Sequence, residues 1–170
     1  MLPDLAGAIS ALSHAGVRFV AIGGIAVAAH RVIRATEDLD LVPDPARESI
    51  DALANVLVAL CARLLRNPER EVDAEVRTAL HRSRNLTVTT SRGDIDIVQR
   101  LPGVPSFAIL ATDAWEATIF DVPFLVCSRA HLIAMKRARG SALDHLIAMK
   151  RARGSALDQA DLERLLDPGH

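Results

Sequence analysis

The chain has 170 residues, half of them hydrophobic and 24% charged, which is enough apolar material for one packed domain. Four Phe, one Trp and no Tyr argue against aromatic platforms as the main mode of recognition. The formal net charge of −1 neither requires nor forbids a local basic patch.

Residues 4 to 15 place apolar side chains at helical spacing, and Gly16 stands where that helix would end. VRFVAI, 17 to 22, is apolar and β-branched and predicts a buried strand. Gly23-Gly24 punctuates it, and IAVAAHRV, 25 to 32, reads as a short helix. EDLDLV, 37 to 42, alternates strictly, with Leu39 and Leu41 on one face and Asp38 and Asp40 on the other. Pro43 and Pro45 stop that strand and open a long helix over about 46 to 66. Residues 67 to 84 are charged and weakly helical. NLTVTT (85 to 90) and DIDIVQ (94 to 99), joined by Ser91-Arg92-Gly93, predict a hairpin. LPGVPSF is a loop, and 117 to 128 offers one or two short strands around Pro123. Everything beyond Ser128 is helical in composition. The expected fold is α+β, a small mixed sheet flanked by helices, with a core over 1 to 128 and a helical tail over 129 to 170.

Cys61 and Cys127 match no metal or redox spacing, and each lies in an apolar stretch that reads as a buried thiol. The segment MLPDLAGAIS lacks the basic flank and apolar core of a signal peptide. The longest uncharged apolar run, 19 to 29, is shorter than the roughly 20 residues of a bilayer span. A soluble cytoplasmic protein is expected.

The tail holds an identical tandem repeat: HLIAMKRARGSALD occupies 131 to 144 and again 145 to 158. Solenoid repeats are longer and degenerate, so this reads as a recent or artificial duplication. At about 100° per residue, its 14 residues bring a helix back to within about 40° of its starting face. Each copy also has its own stop and start. Gly140 and Gly154 can end a helix, while Ser141 with Asp144 and Ser155 with Asp158 resemble N-terminal caps. The expectation is a helical hairpin arm or one extended, kinked helix.

Asp38 and Asp40 share one strand face with roots about 6.5 to 7 Å apart. Burying like charges so close is costly unless something positive sits between them. Hard cations take oxygen ligands, and Mg²⁺ is commonly held by one or two carboxylates with substrate phosphates. Asp94 and Asp96 repeat the spacing, with Ile95 and Ile97 facing the core. Asp96, deeper in its strand, is the expected third ligand, and Asp94 a solvated turn residue. Gly23-Gly24, between strand and helix, brings bare amides and a positive helix end towards an anion.

Gly-Gly, 13 residues, Asp-Leu-Asp-Leu and a later strand Asp together resemble the nucleotidyltransferase superfamily that includes DNA polymerase β. The stretch GGIAVAAHRVIRATEDLDL is similar to the branch of abortive-infection nucleotidyltransferase toxins and small antibiotic nucleotidyltransferases, with His30, Arg34 and Thr36 at matching places. The tail LIAMKRARGSALDQADLERL resembles that branch's helical end. The resemblance implies two-metal transfer of a nucleoside monophosphate, with Mg²⁺ or Mn²⁺ on Asp38, Asp40 and Asp96 and a nucleoside triphosphate as substrate. It places the outgoing phosphates on Gly23 and Gly24, with Arg34, Thr36 and Lys136 as nucleotide contacts. Lys150 is the duplicate of Lys136, and Lys136 is in register with the preceding strand. Many superfamily members have Ser where this chain has Gly24. The leading expectation is a toxin of a toxin–antitoxin pair acting on an RNA or protein acceptor; the charged stretch 66 to 84 reads as solvated surface, though its arginines could meet an RNA acceptor through phosphates. The others are an antibiotic adenylyltransferase and a non-catalytic antitoxin or partner-binding module. Ile25 stands where drug-modifying relatives often have Trp.

Overall fold

The computed structural model describes residues 3–30, 36–119 and 121–147, with side chains as far as Ala138. Helix α1 (Leu5–His14) starts at Asp4, whose carboxylate accepts from the Gly7 amide at 2.9 Å. That bond, with the Arg92 guanidinium close by, holds the Asp4 carboxyl below its ordinary range. Strand β1 (Phe19–Ala21) is buried throughout. Helix α2 (Gly23–Ala29) begins at the double glycine itself. Strand β2 (Asp38–Pro43) alternates as expected and keeps Pro43 as its last residue.

Helix α3 (Arg47–Ala59) is shorter than its sequence pattern predicts. Cys61 adopts a left-handed conformation, φ 53°. The amides of Cys61 and Ala62 close back on the carbonyls of Val58 and Leu57, at 3.0 and 2.9 Å. This is a Schellman stop built without glycine. The chain then forms a hairpin, β3 (Arg63–Leu64) and β4 (Asn67–Glu71), where continued helix was expected. Helix α4 (Ala74–His81) follows, capped by Asp73 and ended by the same device at Ser83, φ 54°.

Strands β5 (Leu86–Thr90) and β6 (Gly93–Ile97) form the predicted hairpin around a Ser91-Arg92 turn. A short α5 (Phe107–Ala111) precedes β7 (Trp115–Ile119) and β8 (Val122–Val126), which pair antiparallel. Helix α6 (Arg129–Ile147) passes through Gly140 and Ser141, so the expected stop and restart within the first copy does not occur. The second copy beyond Ile147 lies outside the described residues.

The strands form one mixed sheet in the order β4-β3-β5-β6-β2-β1-β8-β7, giving the expected α+β fold. Strand β2 runs parallel to β6 and antiparallel to β1. Leu39, Leu41, Ile95 and Ile97 are fully buried in one core cluster with Ile9 and Leu12 of α1 and Ile50, Leu53 and Leu57 of α3. The opposite face of β2 and β6 therefore carries the carboxylates. No helix among the described residues is long and apolar enough to cross a membrane.

Cys127 is buried as expected; Cys61 is exposed, because its left-handed turn lifts it off the core. Burial pushes the Cys127 thiol up to about 12, from 9.0. In the folded protein a thiol-specific reagent at pH 8 is expected to modify Cys61 and spare Cys127, read by mass spectrometry. The raised value favours the fold fully below pH 9.0 and less as pH climbs towards about 12. Urea titrations of wild type and Cys127→Ala should diverge across that window, and parallel curves would contradict the assignment.

Candidate active site

Parallel pairing sets Asp38 opposite Asp94 and Asp40 opposite Asp96, with Leu39–Ile95 and Leu41–Ile97 as the alternate pairs. Side chains alternate along both strands, so the four carboxylates share a face on strands about 4.8 Å apart. Asp38 is exposed, and Asp40, Asp94 and Asp96 are half-buried. The expected solvated character of Asp94 is met only in part. The Asp96 Oδ1 atom is buried and has no hydrogen-bond partner among the described residues. Such an oxygen is costly unless something positive satisfies it.

Gly23 explains how Asp40 fits. Its φ is +61°, and a Cβ there would overlap the Asp40 carboxylate. The Ile22 amide also donates to the Asp40 carbonyl at 3.0 Å. The start of α2 is thus laid against Asp40, and its N-cap residue, Ile22, makes no side-chain cap bond to the first amides. Gly24 is buried in the first turn.

Thr36 donates its hydroxyl to the Asp38 carbonyl at 3.1 Å, with Asp38 Oδ1 at 3.4 Å. It touches the site through Asp38. Arg34 and Lys150 lie outside the described residues. His30 is a packed residue. Its Nε2 is 3.0 Å from the Cys127 carbonyl and 3.4 Å from the Trp115 indole nitrogen. A carbonyl can only accept, so Nε2 carries the proton and Trp115 makes an edge contact, ring centroids 5.5 Å apart.

Asp40 stands between two clefts. One, of about 300 Å³, runs from Gly23 and Asp40 to the α6 residues Leu132, Met135 and Lys136, under the loop Leu101–Val104. Lys136 is buried, at 8% exposure. The other, of about 490 Å³, lies on the Asp96 side and is bordered by Arg66, Asn85, Thr87 and Leu86. Arg66 opens the charged stretch 66 to 84, whose sequence reads as solvated surface or as arginines that meet an RNA acceptor, and its place in the cleft of Asp96 comes from the fold. Its turn is set by the pairing of Leu64 with Asn67. Asn85 is a structural knot: its Oδ1 accepts from the amides of Gln99 and Arg100, both at 2.8 Å.

The donors suit a hard cation, being carboxylate oxygens with one buried oxygen unsatisfied. Among the described residues no three His, Cys, Asp or Glu side chains stand together so as to hold a metal ion by themselves. Two carboxylates in register are what a cation completed by substrate phosphates requires.

The fold is that of the nucleotidyltransferases. The crystal structure of ANT(2'')-Ia in complex with adenylyl-2''-tobramycin superposes with a TM-score of 0.58, at 14% identity, over 95% of this chain and 87% of that one. The solution structure of the antibiotic-resistance factor ANT(2'')-Ia superposes with a TM-score of 0.57, at 14% identity, over 97% and 89%. No family model and no curated protein sequence matches the chain.

Replacing Gly23 by Ala is expected to cost about 1–3 kcal/mol, since the residue must leave a left-handed conformation or displace Asp40. In a double-mutant cycle with Asp40→Gly, part of that cost should vanish, a coupling of about 1 kcal/mol or more in urea unfolding. Strict additivity would show that the two residues do not touch.

Proposed function

We propose that the chain is a metal-dependent nucleotidyltransferase that moves a nucleoside monophosphate from a nucleoside triphosphate to an acceptor hydroxyl. The observation that carries the reading is the position of Asp40, paired in register with Asp96 and bordering both clefts. In the reaction the acceptor oxygen bonds to the α-phosphorus, the bond to the bridging oxygen breaks, and pyrophosphate leaves. Asp38, Asp40 and Asp96 would hold Mg²⁺ or Mn²⁺, which would neutralise charge on the phosphates and ease loss of the acceptor's proton.

The triphosphate belongs to the cleft of Gly23 and Lys136. The N-cap of α2, Ile22, has no polar side chain to occupy the first amides, and the buried Lys136 supplies a cation to the same cleft as Asp40. Both favour an anion held in place before reaction. Arg34 would add charge from the segment before β2. Thr36 orients Asp38 through the hydrogen bond to its carbonyl. On the other side, Asp96 borders the acceptor cleft, and its buried, unbonded oxygen would help hold the second cation.

The acceptor cleft favours an RNA over a polycationic drug. Its acidic side chains are Asp40 and Asp96, both assigned to cations, and Arg66 borders it. A cation there attracts a phosphate-bearing acceptor and repels an aminoglycoside. With the residue resemblance, this supports a toxin held in check by an antitoxin protein in the cytoplasm. The fold shared with ANT(2'')-Ia supports the antibiotic adenylyltransferase as the second reading.

Incubation with α-labelled nucleoside triphosphates, Mg²⁺ or Mn²⁺ and total bacterial RNA should transfer label to RNA and leave tobramycin unmodified. Asp38→Ala, Asp40→Ala and Asp96→Asn should each lower transfer by about a hundredfold or more. Arg66→Ala should raise the KM for RNA while changing kcat less. Label that never leaves the triphosphate, with either metal and either acceptor, would overturn the enzyme reading in favour of a binding module.

A further inference from the structure

The cleft beside Lys136 has two chemically different ends. Its only charged or hydrogen-bonding side chains among the described residues are Asp40 and Lys136, and the rest of the lining is aliphatic, thioether or glycine. The loop carrying Leu101, Pro102 and Val104 forms one wall, and Leu132 and Met135 of α6 form the other. Contact between loop and helix is close at Gly103, where φ is +83° and a Cβ would sit 2.7 Å from the Ala138 Cβ. Within the loop, the Val104 amide is taken by the Leu101 carbonyl at 3.0 Å, and Pro102 has no amide hydrogen. Neither Val104 nor Pro102 therefore offers a backbone donor to a base edge on that wall.

We infer that this apolar slot takes the nucleobase of the triphosphate and takes all four bases with nearly equal affinity. The inference rests on the nucleotidyl-transfer reading and adds the substrate's base to it. The occupant follows from continuity with the charged end: a triphosphate held at Lys136 and, through a cation, at Asp40 leaves its nucleoside no further polar side chain along the slot among the described residues. A flat base gains by leaving water between aliphatic walls. Base discrimination needs side-chain or backbone hydrogen bonds that go unpaired with the wrong base, and apolar contact alone separates similar ligands weakly. Met135 helps, because its flexible thioether can repack around a purine or a pyrimidine. The volume of about 300 Å³ lies at the small end of the range for small-molecule sites.

The test is equilibrium binding to the full chain with Mg²⁺ and no acceptor, by titration calorimetry. The probes are ATP, GTP, CTP, UTP and inorganic tripolyphosphate. The four nucleotides should bind within about fivefold of one another, whereas a hydrogen-bonded base site would separate them by about a hundredfold or more. Met135→Trp and, separately, Val104→Phe fill the slot. Each should weaken all four nucleotides by about tenfold or more and leave tripolyphosphate within about twofold. Circular dichroism identifies a variant that fails to fold, in which case the other carries the comparison. One nucleotide preferred by more than about thirtyfold would overturn the inference. So would slot variants that bind nucleotides as wild type does, or that lose tripolyphosphate equally; all three leave the transfer reading standing. A wild-type protein that binds neither nucleotides nor tripolyphosphate would sink both.

Discussion

The register of β2 against β6 is the constraint on which the site depends. Because side chains alternate with a period of two, the pairing that buries Leu41 beside Ile97 also sets Asp40 beside Asp96. A slip of one residue would send the carboxylates into the core and the aliphatics to solvent. Magnitudes show why the arrangement can persist despite like charges. Two carboxylates about 5 Å apart repel by about 3 kcal/mol at an effective dielectric of 20. Burying Leu39, Leu41, Ile95 and Ile97 yields about 1.5–3 kcal/mol for each side chain. The hydrophobic face wins and holds the acidic face in place. The remaining tension is stored where a cation would relieve it, at Asp96 Oδ1.

Around that pair the fold is asymmetric. On one side α2 begins at Gly23, pressed onto Asp40, and α6 contributes Lys136. On the other, the β3–β4 turn contributes Arg66. Each cleft therefore joins the shared carboxylate to a cation from an element distant in sequence. Such a division suits a reaction that brings two substrates to opposite sides of one phosphorus atom. In the proposed transfer the protein's part would be largely positioning and charge compensation, as in phosphoryl transfer generally.

What could be read in advance was whatever the backbone writes locally. Strict alternation gave the faces of β2 and β6, and Ser91-Arg92-Gly93 gave the hairpin of β5 and β6. The end of α1 was legible because its Schellman stop uses Gly16, φ 76°. The ends of α3 and α4 use the same hydrogen bonds with Cys61 and Ser83 in the left-handed position. Neither residue announces a stop, so the α3 pattern ran on into what is the β3–β4 hairpin. The placement of Arg66 was lost with it, because that position in the cleft exists only once the hairpin joins the sheet beside β5. The apolar slot was equally hidden, since its two walls are brought together by the fold. Gly140 is the opposite case. A glycine inside a helix costs about 1 kcal/mol, and α6 continues through it. Its position in sequence therefore suggested an ending that the helix does not make.

The most direct measurement is anomalous diffraction from crystals grown with Mn²⁺ and a non-hydrolysable nucleoside triphosphate analogue. A manganese peak within bonding distance of carboxylate oxygens of both Asp40 and Asp96, with the phosphates on the Gly23 and Lys136 side, is the predicted result. Manganese bound elsewhere, or an Asp96 carboxylate turned away and hydrogen-bonded within the protein, would contradict it.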